Sequence, residues 1–234
     1  IRREEPREYT SQVETVYPAE QNGIPVEIVV EKLHFDPPAQ EKPIHVSDPM
    51  SATKNYRITD DDLGSGGPKA KFQANMKAIR ILKQIEKEGR NANQDEQEAL
   101  AHYVGWGGLA DAFDSSKSAW ANEYQELLKA LTPEEYEAAR ASTLNAHYTS
   151  PTVIRAIYDA VGQMGFKSGN ILEPSMGIGN FFGLLPEEMK DSRLYGVELD
   201  SLTGRIARQL YPKANITIGG FETTDRKHSF DLAT

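Results

Sequence analysis

The sequence predicts an α/β fold, the N-terminal half of a parallel, doubly wound sheet, preceded by a mainly helical region (49–144) and an extended N-terminal arm (1–48). Three observations lead there. Ile171, Leu172 and Glu173 close a short apolar run that Pro174 stops, and Gly177 and Gly179 let the backbone turn tightly and approach a ligand without Cβ hindrance. Twenty-one residues past Gly177, a second apolar run from Leu194 ends in Glu198 and Asp200, where a carboxylate can take both hydroxyls of a ribose. Strand-like and helix-like stretches alternate from there on, as right-handed crossovers between parallel strands require.

Taken in chain order, residues 1–48 are rich in charge and proline (positions 6, 18, 25, 37, 38 and 43) and contain one apolar run, 24–30. Proline removes ladder donors, so an arm or linker with room for one strand is expected. After the glycines at 64, 66 and 67 the periodicity of Phe72, Met76, Ile79, Leu82 and Ile85 predicts a helix over 69–88. Lys77, Arg80, Lys83 and Lys87 fall within about 120° of one another beside that face at 100° per residue. They form either a solvated basic face or a contact for DNA phosphates.

Asn93, followed by an acidic first turn, caps a helix expected to reach about Val104, where Gly105-Trp106-Gly107-Gly108 ends it. Trp106 reads as a core plug under a tight turn, or as a surface for base stacking or cofactor packing. A further helix over 118–130 carries Trp120, Tyr124, Leu127 and Leu128 at core spacing. Thr132, Pro133 and Glu135 spell a capping box for the next one. The stretch ending in Tyr148, Thr149, Ser150 and Pro151 leads into a helix whose buried side should hold Val153, Ile154, Ile157, Tyr158 and Val161. A helix over 201–210, a strand over 215–219 and the start of a fourth strand at 230–233 complete the pattern.

At 234 residues and 38% hydrophobic the chain holds enough apolar material for one core. It has no cysteine, no apolar run near 18 residues and no secretory leader, so disulfides, thiolate metal sites and membrane spans are not expected and the cytoplasm is. Its five histidines are scattered, and no metal site is expected. The net charge is −9, yet residues 66–90 carry seven basic and two acidic side chains, net +5 against −14 elsewhere. Such polarity suits a protein that touches a phosphate backbone at one place. The first residue is not methionine and the last residues read as strand, so a further segment is expected to follow.

The glycine loop lacks the third glycine of a dinucleotide fingerprint, Phe182 standing there, and lacks the lysine and hydroxyl of a phosphate loop. Glu173-Pro174-x-x-Gly177-x-Gly179-Asn180-Phe181 resembles instead the first motif of DNA adenine methyltransferases that use S-adenosyl-L-methionine. Together with Leu63-Gly64-x-Gly66-Gly67-Pro68-Lys69-x-Lys71-Phe72, Tyr103-Val104-Gly105-Trp106-Gly107-Gly108, and the runs 177–186 and 195–200, the chain from about residue 55 is similar to the large methylase–helicase proteins of conjugative elements and phages, some linked to antirestriction.

That resemblance implies a Rossmann-like class I methyltransferase sheet over 145–234, S-adenosyl-L-methionine as cofactor, DNA as partner and a helicase section in the same longer chain. It places Tyr148 and Thr149 over the methionine part of the cofactor and Glu198 and Asp200 on its ribose. Glu222 is the nearest candidate for the carboxylate that meets the adenine amine. The chemistry it implies, methylation of the exocyclic amine of a flipped adenine, needs an Asn/Asp-Pro-Pro/Val-Tyr/Phe tetrapeptide. None follows Asp231. Asp36-Pro37-Pro38-Ala39 would supply it in a circularly permuted arrangement, but Ala39 stands where the aromatic belongs and only 108 residues separate Ala39 from Tyr148. These residues alone are therefore expected to be inactive. Two other readings stay open, a non-enzymatic DNA-binding module and a nicotinamide-dependent oxidoreductase.

Overall fold

The computed structural model describes residues 9–21 and 24–35 by backbone only, and 54–59, 63–144, 148–224 and 229–234 in full. It divides into two compact units, 1–45 and 46–234. In the first, β1 (Tyr9–Gln21) and β2 (Ile24–Phe35) form an antiparallel hairpin, closed where Gln21 pairs with Ile24 and bulged between Val13 and Thr15. Two strands stand where the prolines suggested room for one. In a two-stranded ribbon each strand is an edge, so Pro18 and Pro25 can sit where no ladder donor is required. Asp36 to Ala39, the alternative tetrapeptide, lie outside the described residues.

The second unit is α/β. Its four parallel strands, β3 (Asn170–Glu173), β4 (Arg193–Glu198), β5 (Asn215–Ile218) and β6 (Leu232–Ala233), lie in the order β5-β4-β3-β6. Glu173 pairs with Gly196, Glu198 with Ile218, and Leu172 with Ala233. The first three strands step one way and the fourth returns to the far side of β3, so the sheet changes winding direction at β3. A crevice opens at such a point, outside the strand carboxyl ends.

Helix α1 (Pro68–Glu88) starts with Pro68 at its first position and ends at Gly89 in the left-handed region, φ 66°. Its apolar face is fully buried, with Phe72, Met76, Leu82 and Ile85 at 0% exposure. Asn93 and Glu96 form a reciprocal capping box on α2 (Gln94–Ala101). That helix stops three residues short of Val104, because Asn75 of α1 captures the Val104 amide at 2.9 Å. A 3-10 turn (Ser118–Trp120) leads into α3 (Ala121–Ala130), and Thr132 and Glu135 box the start of α4 (Pro133–Ser142) as expected. Trp106 is the core plug, 2% exposed and edge-on to Phe72, Tyr103 and Phe113.

These helices share one core with the sheet. Tyr56 and Ile58 donate backbone bonds to Leu210 (2.7 Å) and Gly183 (2.9 Å), in the crossover helices α7 (Ser201–Leu210) and α6 (Asn180–Gly183). The Gln97 side chain reaches the Gln209 carbonyl at 2.9 Å. Helix α5 (Pro151–Gln163) departs from expectation: Ile154 and Tyr158 are buried, but Val153 and Ile157 are 49% and 37% exposed. Its contact is a narrow one, anchored where the Tyr158 hydroxyl donates to the Phe181 carbonyl at 2.9 Å, and the neighbouring stripe turns outward. Among the described residues no helix is long and apolar enough to cross a membrane.

Candidate functional site

Strand β3 delivers Glu173 to the sheet's carboxyl edge, and the chain then folds back through Gly177 (φ 55°) and Gly179 (φ 86°). A Cβ on Gly177 would lie 2.6 Å from the Tyr148 ring, and one on Gly179 would lie 2.7 Å from the Tyr211 ring. Both glycines are therefore required by conformation and by space. Glu198, at the end of β4, holds this loop in place. Its Oε2 accepts the Gly177 amide and its Oε1 the Asp200 amide, each at 2.8 Å. A carboxylate offers about four lone-pair positions, so roughly two remain for a ligand. Asp200 in turn accepts the Thr203 amide at 2.7 Å and caps α7.

Above these strand ends lies a cavity of about 1050 Å³. Glu173 is 6% exposed on its wall and its Oε2 has no hydrogen-bond partner. Burial, and then the charge of Glu198, push its carboxyl well above the usual range. Burial also raises Glu198, against the pull of the Asp200 and Gly177 amides. The Asn180 Oδ1, on the same wall, is a second buried acceptor without a donor. Among the described residues that line the cavity, Arg205 is the single cation; its two terminal nitrogens are committed to Glu86 and Glu135, and its buried Nε has no partner. The chamber is thus predominantly acidic, with two unmet acceptors against one unmet donor. It favours a ligand that brings positive charge and hydrogen-bond donors.

Of the residues expected at the site, Tyr148, Thr149, Glu173, Gly177, Asn180, Phe181, Glu198 and Asp200 line this one cavity. Pro174 and Gly179 shape the loop from behind, without lining it. Glu222 stands apart, exposed on a 3-10 turn (Phe221–Thr223) and absent from the cavity wall. Periodicity gave no hint of the opposite wall. Tyr103 and Gly105 contribute to it, with one side of α4 from Thr132 to Ser142. Leu199, 76% exposed beside Glu198, was also missed, although an apolar residue following a strand-end acid is a usable signal.

Half of the basic stripe of α1 is engaged within the protein. Arg80 pairs with Glu126. Lys83 bonds to Glu135 and to the Ala130 carbonyl, each at 2.6 Å. Lys69 pairs with Glu123 at 2.7 Å and stands over the Trp120 ring, 4.0 Å from its centroid. Lys77 and Lys87 remain exposed and in no ion pair among the described residues. Burial works against the Glu135 carboxylate, but Lys83, the Thr132 amide and Arg205 outweigh it and hold that carboxyl below its ordinary value.

No family model matches the chain. It is 23% identical over 159 residues to the Defense against restriction protein B of Escherichia phage P1, and 33% identical over 85 residues to the Type II methyltransferase M.CvrRI of Paramecium bursaria Chlorella virus XZ-6E. Those alignments cover 68% and 36% of this chain, but only 6% and 22% of the two relatives. Among solved structures it is similar to a Listeria monocytogenes protein assigned to the class I S-adenosylmethionine-dependent methyltransferases. That likeness has 14% identity over 69% of this chain and 58% of the other, and at a TM-score of 0.32 it is too distant to add to the fold derived above.

Proposed function

We propose that the chain is the cofactor-holding part of an S-adenosyl-L-methionine-dependent DNA methyltransferase that modifies the exocyclic amine of adenine, within a longer mobile-element protein that also carries a helicase section and works in the cytoplasm. The observation that carries the reading is the acidic cavity with two unmet acceptors, Glu173 Oε2 and Asn180 Oδ1, beside the glycine loop. S-adenosyl-L-methionine brings a sulfonium and an ammonium and no phosphate. A pyrophosphate or triphosphate would meet Glu173 and Glu198 with no lysine to offset them. Similarity to a type II methyltransferase and to a phage antirestriction protein favours DNA as substrate.

In this reading Glu173 and Asn180 accept from the ammonium, Glu198 accepts from the ribose, and Leu199 offers an apolar surface to the adenine. Tyr148 and Thr149 cover the methionine part and exclude water from it. The cofactor, when bound, supplies an electrophilic methyl group. Orienting the acceptor amine would fall to an Asn/Asp-Pro-Pro/Val-Tyr/Phe tetrapeptide of the longer protein, and residues 1–234 alone are proposed to bind without transferring. In the same reading 145–234 would hold the cofactor, 49–144 would roof it and 1–48 would serve as an arm.

The non-enzymatic DNA-binding reading would rest on the α1 stripe, and two of its four basic residues are paired internally. Titration calorimetry on residues 1–234 discriminates among the readings. S-adenosyl-L-methionine should bind and NAD should not, and Glu198→Ala should weaken the former by about 1–3 kcal/mol, as expected for a charged acceptor. Binding of NAD without S-adenosyl-L-methionine would overturn the assignment.

A further inference from the structure

We propose that Tyr103, from the helical region, is a positioning residue for the ribose of the cofactor, its phenol donating to a ribose oxygen across from Glu198. The inference rests on the adenosine-type cofactor proposed above and names a wall of the site that the glycine loop does not supply. Tyr103 is 1% exposed and lines the same cavity as Glu198, Asp200 and Thr203. Its place is fixed from behind. The fully buried Asn75 accepts the Val104 amide at 2.9 Å and donates to the Gly105 carbonyl at 2.6 Å, clamping the backbone just after Tyr103. Gly105 turns that backbone at φ 67° and itself lines the cavity. Trp106 then anchors the loop, edge-on to the Tyr103 ring at 6.3 Å.

The chemistry of a ribose explains why such a wall is needed. Each hydroxyl of the diol both donates and accepts, whereas an ionised carboxylate only accepts. Glu198 and Asp200 can satisfy the diol's protons but offer nothing to its oxygen lone pairs, which need a donor from water or from another wall of the cavity. A phenol supplies the missing donor without adding charge. Burial, reinforced by the negative charge of Asp200, keeps the Tyr103 hydroxyl protonated throughout the accessible pH range. Ligands carrying a deoxyribose would leave this donor idle, so the wall also selects for ribose.

Titration of residues 1–234 with S-adenosylhomocysteine and with its 2′-deoxy and 3′-deoxy analogues tests this. Tyr103→Phe keeps the ring that packs on Trp106 and removes only the hydroxyl. It is expected to weaken S-adenosylhomocysteine binding about tenfold, the worth of one hydrogen bond of roughly 1.4 kcal/mol, with no further loss against the analogue lacking the hydroxyl it meets. The unfolding temperature should not change. If Tyr103→Phe also lowers stability, the differences among the three ligands still read the contact, since a loss of fold weakens all three alike. Equal losses for all three ligands, or no loss, would overturn the assignment of Tyr103 while leaving the cofactor reading intact. If the unmodified chain binds none of the three, the cofactor reading itself fails and takes this inference with it.

Discussion

Glu173 is a carboxyl that the fold buries without giving it a full set of partners. Its folded pKa is raised above the ordinary value of 4.5 by burial and by Glu198. Between those two values the native state holds a proton that the unfolded chain has already lost, so stability falls as pH climbs through the window and the loss is complete above the folded pKa. Glu173→Gln, which cannot ionise, should lose this component of the pH dependence, so that its stability falls less than that of the unmodified chain as pH climbs through the window. Urea unfolding at several pH values between 4 and 8 measures this. The same variant should bind a cationic cofactor more weakly. Unchanged affinity would remove Glu173 from the cofactor's ammonium, whatever its effect on stability.

At the level of elements, α1 is joined to its neighbours through Glu135, which caps α4 and pairs with Lys83 of α1 and Arg205 of α7. Lys83→Glu should therefore act as a folding mutation, lowering stability by about 1–3 kcal/mol because it leaves a partly buried acid facing another. Lys87→Glu, on an exposed position, should leave stability within about 0.5 kcal/mol. If DNA binds this helix, Lys77 and Lys87 carry the contact and their reversal flattens its salt dependence. Thermal unfolding of the two single variants decides the matter, and equal midpoints would mean that the Glu135 node contributes nothing. The capping box at Thr132 and Glu135 was legible because its partners are three residues apart. The second role of Glu135 was not, since Lys83 and Arg205 lie 52 and 70 positions away and no local period reports them. Gly177, Gly179 and Glu198 were legible because strand ends and tight turns restrict residue type. Val153 and Ile157 misled for the converse reason, an apolar period showing which residues share a helix face but not how much of it is covered.

Across residues 46–234 the helical layer and the sheet are one structure, with Tyr56 to Tyr103 in the same apolar core as Leu202 to Tyr211. The boundary drawn from sequence near residue 144 is a change of secondary-structure style within that core. A cavity that could hold a cofactor does not by itself orient a methyl acceptor. Aligning the amine with the methyl carbon accounts for about 7–11 kcal/mol of barrier in well-oriented reactions, and the reading proposed above assigns that alignment to no residue of the cavity wall. Residues 1–234 should thus bind S-adenosyl-L-methionine yet transfer no tritiated methyl to unmethylated DNA. Incorporation that Asp36→Ala abolishes would establish the permuted arrangement in its place.

The Tyr148 ring lies so close to Gly177 that a Cβ added there would sit 2.6 Å from it. Gly177→Ala would therefore have to displace either the aromatic ring or the loop whose amide Glu198 holds, and a single added methyl group would disturb two walls of the cavity at once.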